Sequence, residues 1–151
     1  MIKVGPLGDS HPNTHGTVNL FDHMGKRGVC RIYVSHGSCL NSIQIAYVEG
    51  NTVDLSEKWG GSGSLFETVV LDYPNEVLTG IRGEWISSDN ISSITNHYSR
   101  SKYNISFEPD EFFGLHGRAD SNSILAIGVH IKPPVKTTSS ALTQIKSEPT
   151  C

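Results

Sequence analysis

The chain has 151 residues and a mass of 16.5 kDa, the size of one ordinary domain. Hydrophobic residues make up 36% and charged residues 18% of the sequence, and there are 15 glycines; this balance excludes a disordered chain and argues against a helical bundle. Twelve Lys and Arg against fifteen Asp and Glu give a net charge of −3, so nucleic acids and anionic membrane surfaces are not expected as partners.

Short runs of β-branched and apolar residues, each bounded by Gly, Asn, Asp or Pro, follow one another along the chain. They predict strands over 30–34, 42–48, 67–71, 77–81 and 126–131. A sustained helical period of apolar residues is absent, so an all-β domain with almost no helix is expected. From Pro133 onward the sequence is rich in Pro, Thr and Ser. We therefore expect a folded domain over 1–132 and a flexible C-terminal tail over 133–151.

Three segments share an apolar strand, a glycine-containing turn and a second strand that opens with a small residue and Ile. They are Ile32–Gly37 with Ser42-Ile43, Ile81–Gly83 with Ser93-Ile94, and Leu115–Gly117 with Ala126-Ile127. The sequence therefore predicts three hairpins of one kind, arranged with pseudo-threefold symmetry.

Targeting signals are not recognisable in the sequence. There is no apolar run of transmembrane length, and Met1–Pro6 lacks the apolar stretch of a signal peptide. The three cysteines are odd in number and sparse, which is typical of a reducing compartment. A cytoplasmic location is expected.

Patterns typical of catalysis, metal binding and nucleotide binding are also missing. His36 and Cys39, with Cys30 upstream, do not have the paired spacing of a zinc site. Gly25-Lys26 lacks the frame of a phosphate-binding loop, and 60–64 lacks the spacing of a nucleophile elbow. We therefore expect a protein that is not an enzyme and that needs neither metal nor cofactor.

Four ordered blocks of sequence resemble the jacalin-related lectins, and the resemblance runs from Val4 to about Pro133. The blocks are Lys3-Val4-Gly5-Pro6 with Gly8, Trp59-Gly60-Gly61-Ser62-Gly63, the segment 71–83 from Leu71 to Gly83, and Phe113-Gly114-Leu115-His116-Gly117-Arg118-Ala119 followed by 126–133. The uncleaved single chain is similar to the mannose-type branch, and most similar to the plant proteins that restrict long-distance movement of potyviruses. The resemblance implies the β-prism I fold: three four-stranded Greek-key antiparallel sheets around a pseudo-threefold axis.

The resemblance also implies a first sugar site, in which a Gly-x-x-x-Asp loop before the last strand faces a glycine-rich loop near the N-terminus. The facing loop here runs from Gly8 to Gly16, and Gly16 is a candidate contact. The corresponding residues of the first loop are Ser121-Asn122-Ser123-Ile124-Leu125, so Ser121 takes the Gly position and Leu125 the Asp position. Loss of a carboxylate that accepts two hydrogen bonds would weaken binding by about 3 kcal/mol. Asp120 or Asn122 could substitute for it through a shifted register.

A second site of some mannose-type members corresponds here to the loop Gly37–Asn41, with Asn in place of Asp, facing the intact pair Gly60-Gly61. Asn keeps an acceptor and adds a donor, but it lacks the charge of Asp. Structural roles remain open for each of these residues, because glycines also serve turns and Asn41 also suits a turn. Trp59 and Trp85 are candidates either for the core or for stacking on a sugar.

Two functions are therefore expected from different classes. The first is carbohydrate binding of the mannose/glucose type in plant defence, by a homodimer or larger homo-oligomer. The second is a protein-interaction domain that has lost sugar affinity and acts in restriction of virus movement. Leu125 favours the second function, whereas Gly37, Asn41, Gly60 and Gly61 together favour the first.

Overall fold

The computed structural model describes residues 1–8, 17–88 and 98–133. The regular secondary structure of these residues consists of strands joined by turns and loops. The strands are β1 (Ile2–Gly8), β2 (Asn19–Asp22), β3 (Gly28–His36), β4 (Leu40–Glu49), β5 (Thr52–Leu55), β6 (Trp59–Gly60), β7 (Leu65–Val70), β8 (Gly80–Ser88), β9 (Tyr98–Ser106), β10 (Phe112–Ala119) and β11 (Ile124–Ile131). A helix long and apolar enough to span a membrane does not occur in these three described ranges.

The strands pair into three antiparallel sheets, which confirms the all-β expectation. The first sheet has the order β1-β11-β10-β2, and the second has the order β5-β4-β3-β7 with the short β6 paired to β4. The third sheet consists of β8 and β9 among the described residues. The first sheet thus shows the expected four strands, and the second gains a fifth because β6 adds two pairs to the start of β4.

Two of the three predicted hairpins are present as β3–β4 and β10–β11, and the middle one pairs β8 with β9. The strand predicted over 77–81 is displaced, since β8 begins at Gly80. Residues 77–79 form no strand; they follow a turn in which the Glu76 amide donates to the Asp72 carbonyl at 2.8 Å. Ser93-Ile94, Gly16 and the tail beyond Pro133 lie outside the described residues.

The hydrophobic core draws side chains from all three sheets. Its buried members include Phe21, Val29, Ile43, Ile45, Tyr47, Ile105, Phe107, Phe112, Leu115, Ile127 and Val129. Along β4 and β11 the members of this core occupy alternate positions, while the residues between them are also largely buried on the opposite face. Close packing of the three inner faces therefore fixes where the hairpin ends lie relative to one another.

His23, just after β2, ties the first sheet to the second. The Trp59 indole N–H donates to His23 Nε2 at 3.3 Å, and His23 Nδ1 lies 2.7 Å from the Tyr47 hydroxyl. Since indole can only donate, Nε2 is the acceptor and the neutral ring carries its proton on Nδ1, which donates to Tyr47. Burial lowers the pKa of His23, in accord with a neutral ring. This chain of bonds fixes Trp59 and therefore β6, which carries Gly60.

Candidate functional site

Asn41 lies at the start of β4, beside the short strand β6. Ser42 pairs with Gly60, and the Gly61 amide donates to the Asn41 carbonyl at 2.8 Å. The structure therefore brings together Asn41, Gly60 and Gly61, three residues that the sequence placed in the second sugar site. Gly37 is exposed nearby, and a Cβ built on it would lie 3.9 Å from Asn41 Oδ1.

The glycines around Asn41 are needed for different reasons. Gly60 has φ +95°, and a Cβ there would overlap the Asn41 carbonyl, so only glycine fits this backbone. Gly37 does not have a left-handed φ, and the nearest atom to a Cβ built on it is Ser64 Oγ at 3.3 Å. Backbone geometry thus accounts for Gly60, whereas Gly37 leaves the approach to Asn41 open.

The connection between β10 and β11 is a tight hairpin, 120–123, held by Asp120. The carboxylate oxygen Oδ1 accepts the amide N–H groups of Asn122 and Ser123, both at 2.8 Å, and the Ser123 hydroxyl at 3.4 Å. The Asp120 amide donates back to the Ser123 carbonyl at 3.0 Å. Asp120 is only 5% exposed. The geometry places its Oδ1 among the hairpin's own donors, while Ser121 and Asn122 are exposed.

The two candidate sugar sites that the resemblance implies are in direct contact in the structure. The Asn41 side-chain amide donates to the Asn122 carbonyl at 3.0 Å. A Cβ on Gly61 would lie 2.6 Å from the Ser121 carbonyl oxygen and 2.8 Å from Asn122 Cα. We call the surface formed by Gly37, Asn41, Gly60, Gly61, Ser121 and Asn122 the joint surface.

Leu125 stands where the resemblance places a carboxylate, and it lies beside an apolar cleft. The cleft has a volume of about 450 Å³, and its lining includes Leu7, Leu40, Trp85, Tyr103 and Leu125. The rings of Trp85 and Tyr103 lie 6.0 Å apart, and burial raises the pKa of the Tyr103 hydroxyl, which therefore stays neutral. The Leu125 position thus belongs to an apolar wall.

The two tryptophans have different environments. Trp59 stacks on Phe21, with ring centroids 5.5 Å apart, and its indole N–H is bonded to His23. Trp85 is half-buried and lines the apolar cleft. Trp59 is therefore a core residue, whereas Trp85 borders a cavity.

Cys39 is exposed and lies 3.7 Å from the Asn41 amide nitrogen, whereas Cys30 is half-buried and its thiol donates to the Ala46 carbonyl at 3.4 Å. A group of three or more His, Cys, Asp or Glu residues placed to hold a metal ion is not found in the described part of the chain. The chemistry of the joint surface is thus that of neutral amides, hydroxyls and backbone groups.

A cluster of charged and histidine side chains on the first sheet was not predicted from the sequence. His130 Nε2 lies 2.7 Å from Asp22 Oδ1, Lys3 Nζ lies 3.4 Å from Asp22 Oδ2, and the His116 and His130 rings are 4.9 Å apart. Burial raises the pKa of Asp22, but the hydrogen bonds from His130 and the Met24 amide outweigh this effect, and the pKa lies below its usual value. Burial lowers the pKa of His116, whose Nε2 lies 3.0 Å from the Val4 carbonyl oxygen. No local sequence pattern marks this cluster, because β10 and β11 are buried over consecutive residues rather than at alternate ones.

Three antiparallel sheets around one core, with a surface of glycine backbone and neutral polar side chains at the hairpin ends, define a β-prism of the lectin class. The family model of the jacalin-like lectin domain matches residues 4–130. The chain therefore belongs to the jacalin-like lectin family, whose members are carbohydrate-binding proteins without catalysis.

Relatives in Arabidopsis thaliana match nearly the whole chain. Protein RESTRICTED TEV MOVEMENT 1 is 28% identical over 152 residues, covering 87% of each chain. Jacalin-related lectin 2 is 26% identical over 162 residues, covering 89% of this chain and 88% of the relative. The crystal structure of an artocarpin–mannotriose complex superposes with a TM-score of 0.66 at 18% identity, covering 87% of this chain and 97% of artocarpin. This last likeness confirms the fold.

Proposed function

We propose that this protein binds glycans of the mannose/glucose type through the Gly37, Asn41, Gly60 and Gly61 part of the joint surface, without catalysis and without a cofactor, in plant defence. The observation that carries the proposal is that the β4–β6 pairing and the hydrogen bond from the Gly61 amide to the Asn41 carbonyl bring residue Asn41 beside Gly60 and Gly61. A pyranose is recognised by neutral groups that donate to and accept from its hydroxyls. Glycine backbone suits this contact because no Cβ atom keeps the sugar ring away. We place the protein in the cytoplasm.

The structural relatives support the choice of mannose. Artocarpin is described in complex with mannotriose, and a further neighbour is a mannose-binding lectin from Champedak, which shares the fold at a TM-score of 0.66 and 19% identity. Both statements concern those proteins. The present chain keeps the glycine pair and an amide at the corresponding surface, and it replaces the carboxylate of the first site with Leu125.

The test is a titration of the ¹⁵N-labelled chain with mannose and a branched mannose oligosaccharide, followed by NMR. We expect the largest shifts at Gly37, Asn41, Gly60 and Gly61. Asn41→Ala removes one hydrogen-bonding side chain and should weaken binding about twofold to tenfold. Asn51→Ala, in an exposed turn of the second sheet, is the matched control and should bind as the unaltered chain does. Absence of any shift at high millimolar sugar would contradict the proposal.

A second candidate function is protein interaction in restriction of virus movement, with little or no sugar affinity. Two observations favour it: Leu125 lacks the acceptor of the first site, and the Asn41 amide is already bonded to Asn122 within the chain. The likeness to protein RESTRICTED TEV MOVEMENT 1 points the same way. Retained self-association together with a silent sugar titration would favour this function.

Self-association, to a homodimer or homo-oligomer, is part of either proposal. The strand β7 lies at an edge of the second sheet and exposes Leu65, Phe66, Val69 and Val70. An exposed apolar edge strand is a surface on which another chain can pair. Phe66→Ser should therefore shift the oligomer toward monomer in analytical ultracentrifugation, whereas Thr68→Ser on the same strand should not. An unchanged mass for Phe66→Ser would exclude this edge.

A further inference from the structure

The Asn41 side-chain amide carries two N–H groups, and one of them donates to a partner within the chain. Its amide nitrogen lies 3.0 Å from the carbonyl oxygen of Asn122, a residue 81 positions away. The other N–H group lies toward Cys39 Sγ, 3.7 Å from the amide nitrogen, so a sugar hydroxyl that accepts from Asn41 competes with a partner the chain already supplies. The Asn122 carbonyl therefore acts as an internal substitute for the sugar oxygen.

The backbone of Gly61 is covered by the same hairpin. The position of a Cβ on Gly61 lies within 2.6–2.9 Å of the Ser121 carbonyl oxygen, Asn122 Cα and the Asn122 carbonyl oxygen. The surface that glycine leaves free at this point is filled by main chain rather than by solvent. The hairpin 120–123 thus covers the Cβ side of Gly61 and engages one N–H of Asn41, so a pyranose that used both would have to displace it.

The covering hairpin has its own anchor. Asp120 is 5% exposed, and its Oδ1 accepts two backbone N–H groups, those of Asn122 and Ser123. Hydrogen bonds to a carboxylate are stronger than those to a neutral oxygen. The shape of the hairpin, and with it the position of the Asn122 carbonyl, thus depends on one buried carboxylate.

We propose that hairpin 120–123 is a self-contact that closes the glycan site, and that Asp120 is the positioning residue that holds it closed. The inference rests on the proposed function and adds that a mannose-type pyranose binds after the hairpin moves away from Asn41 and Gly61. The measured dissociation constant is then the intrinsic constant divided by the fraction of open molecules. A hairpin that is closed in about nine molecules of ten weakens the apparent affinity about tenfold.

The experiment compares three full-length chains: the unaltered protein, Asp120→Asn and Asp120→Ala. Asp120→Asn keeps an acceptor oxygen without the charge. Asp120→Ala removes the acceptor of the Asn122 and Ser123 amides and of the Ser123 hydroxyl. We expect mannose to bind Asp120→Ala about tenfold more tightly than the unaltered chain, with Asp120→Asn between them. Asp110→Asn, which removes an exposed carboxylate from the turn before β10, is the matched control and should leave the affinity unchanged.

The side-chain NH₂ resonances of Asn41 report the closed contact directly, before any sugar is added. They should move in Asp120→Ala, because the bond to the Asn122 carbonyl is lost. A role for Asp120 in stability alone would lower the melting temperature without tightening sugar binding. Asn122→Gly loosens the hairpin while keeping its carbonyl, so this milder variant serves even when Asp120→Ala fails to fold, with an expected gain of roughly twofold to fivefold.

The outcomes separate the two proposals. Tighter binding by Asp120→Ala and Asn122→Gly supports closure by the hairpin. Equal affinity in all chains, with shifts at Asn41 and Gly61, overturns closure and leaves glycan binding in place. A silent titration of every chain, although the Asn41 NH₂ resonances have moved in a variant, overturns the proposed function and the closed glycan site with it.

Discussion

Gly61→Ala tests the contact between the joint surface and the hairpin most simply. The added methyl group would lie 2.6 Å from the Ser121 carbonyl oxygen and 2.8 Å from Asn122 Cα, both main-chain atoms that cannot rotate away. Overpacking of this kind costs roughly 1–3 kcal/mol. Because Ser121 and Asn122 are exposed and can shift outward, we expect the lower half of that range, about 1–2 kcal/mol, including the loss of the Asn41–Asn122 hydrogen bond.

The assay is thermal and urea unfolding of Gly61→Ala beside the control Gly37→Ala. For a chain of this size, about 1–2 kcal/mol corresponds to a fall in melting temperature of roughly 2–8 °C. The Cβ of Gly37→Ala finds only Ser64 Oγ at 3.3 Å as a near neighbour, so its unfolding free energy should change by less than about 0.5 kcal/mol. Equal stability of the two variants, together with unmoved amide resonances of Asn122 in Gly61→Ala, would refute the contact.

Three further predictions concern polar groups that join neighbouring strands, in one case across two sheets. Tyr47→Phe should lower the free energy of unfolding by about 1–2 kcal/mol in urea denaturation, because the His23 Nδ1–H group loses its acceptor at 2.7 Å. Asp22→Asn should lower the free energy of unfolding by about 1 kcal/mol at neutral pH. Because the pKa of Asp22 lies below its usual 3.8, this difference in stability should shrink as the pH falls below that value. His116 has a pKa lowered by burial from 6.5, so the unfolded chain takes up its proton first and stability falls as the pH drops below 6.5. His116→Gln should flatten that slope in a pH series of urea midpoints, by at most about 1.4 kcal/mol per pH unit; an unchanged slope would assign the dependence to other groups.

The sequence predicts the β3–β4 and β10–β11 hairpins correctly because a two-residue period and glycine turns are local signals; the middle hairpin was predicted to return at Ser93-Ile94, outside the described residues, and its described second strand is β9. Strand β8 is the exception, since the apolar residues Val77 and Leu78 read as strand but belong to the segment before Gly80. Leu78 packs against the core without joining a sheet. An alternating pattern shows which residues are apolar, but it does not distinguish a strand from an irregular segment that packs against the core.

The residues of the candidate site could be named from the sequence, but the contact between Asn41 and Asn122 could not. The pairing of Asn41 with Gly60 and Gly61 follows from the family pattern, whereas the contact with Asn122 joins residues 81 positions apart. Such a contact depends on how the ends of two hairpins from different sheets meet, which only packing of the whole core decides. Asp120 was predicted as a substitute sugar acceptor, and its burial beneath its own hairpin cannot be inferred from its place in the sequence.

The glycines that identify the family are poor indicators of sugar binding in this chain. A Cβ on Gly60 would overlap the Asn41 carbonyl, and a Cβ on Gly117 would overlap the Ala126 carbonyl, so the β-prism needs these residues whether or not a ligand binds. A chain that lost sugar affinity would keep them, and would still match the family over 4–130. Under the proposed function, we expect binding to depend on groups the fold does not require: the Asn41 amide, the side chain at 125 and the hairpin held by Asp120. The Asn41 amide is bonded to Asn122, and residue 125 is a leucine. We therefore expect the free energy that holds hairpin 120–123 against Asn41 to decide between a lectin with a closed site and a β-prism that binds only proteins.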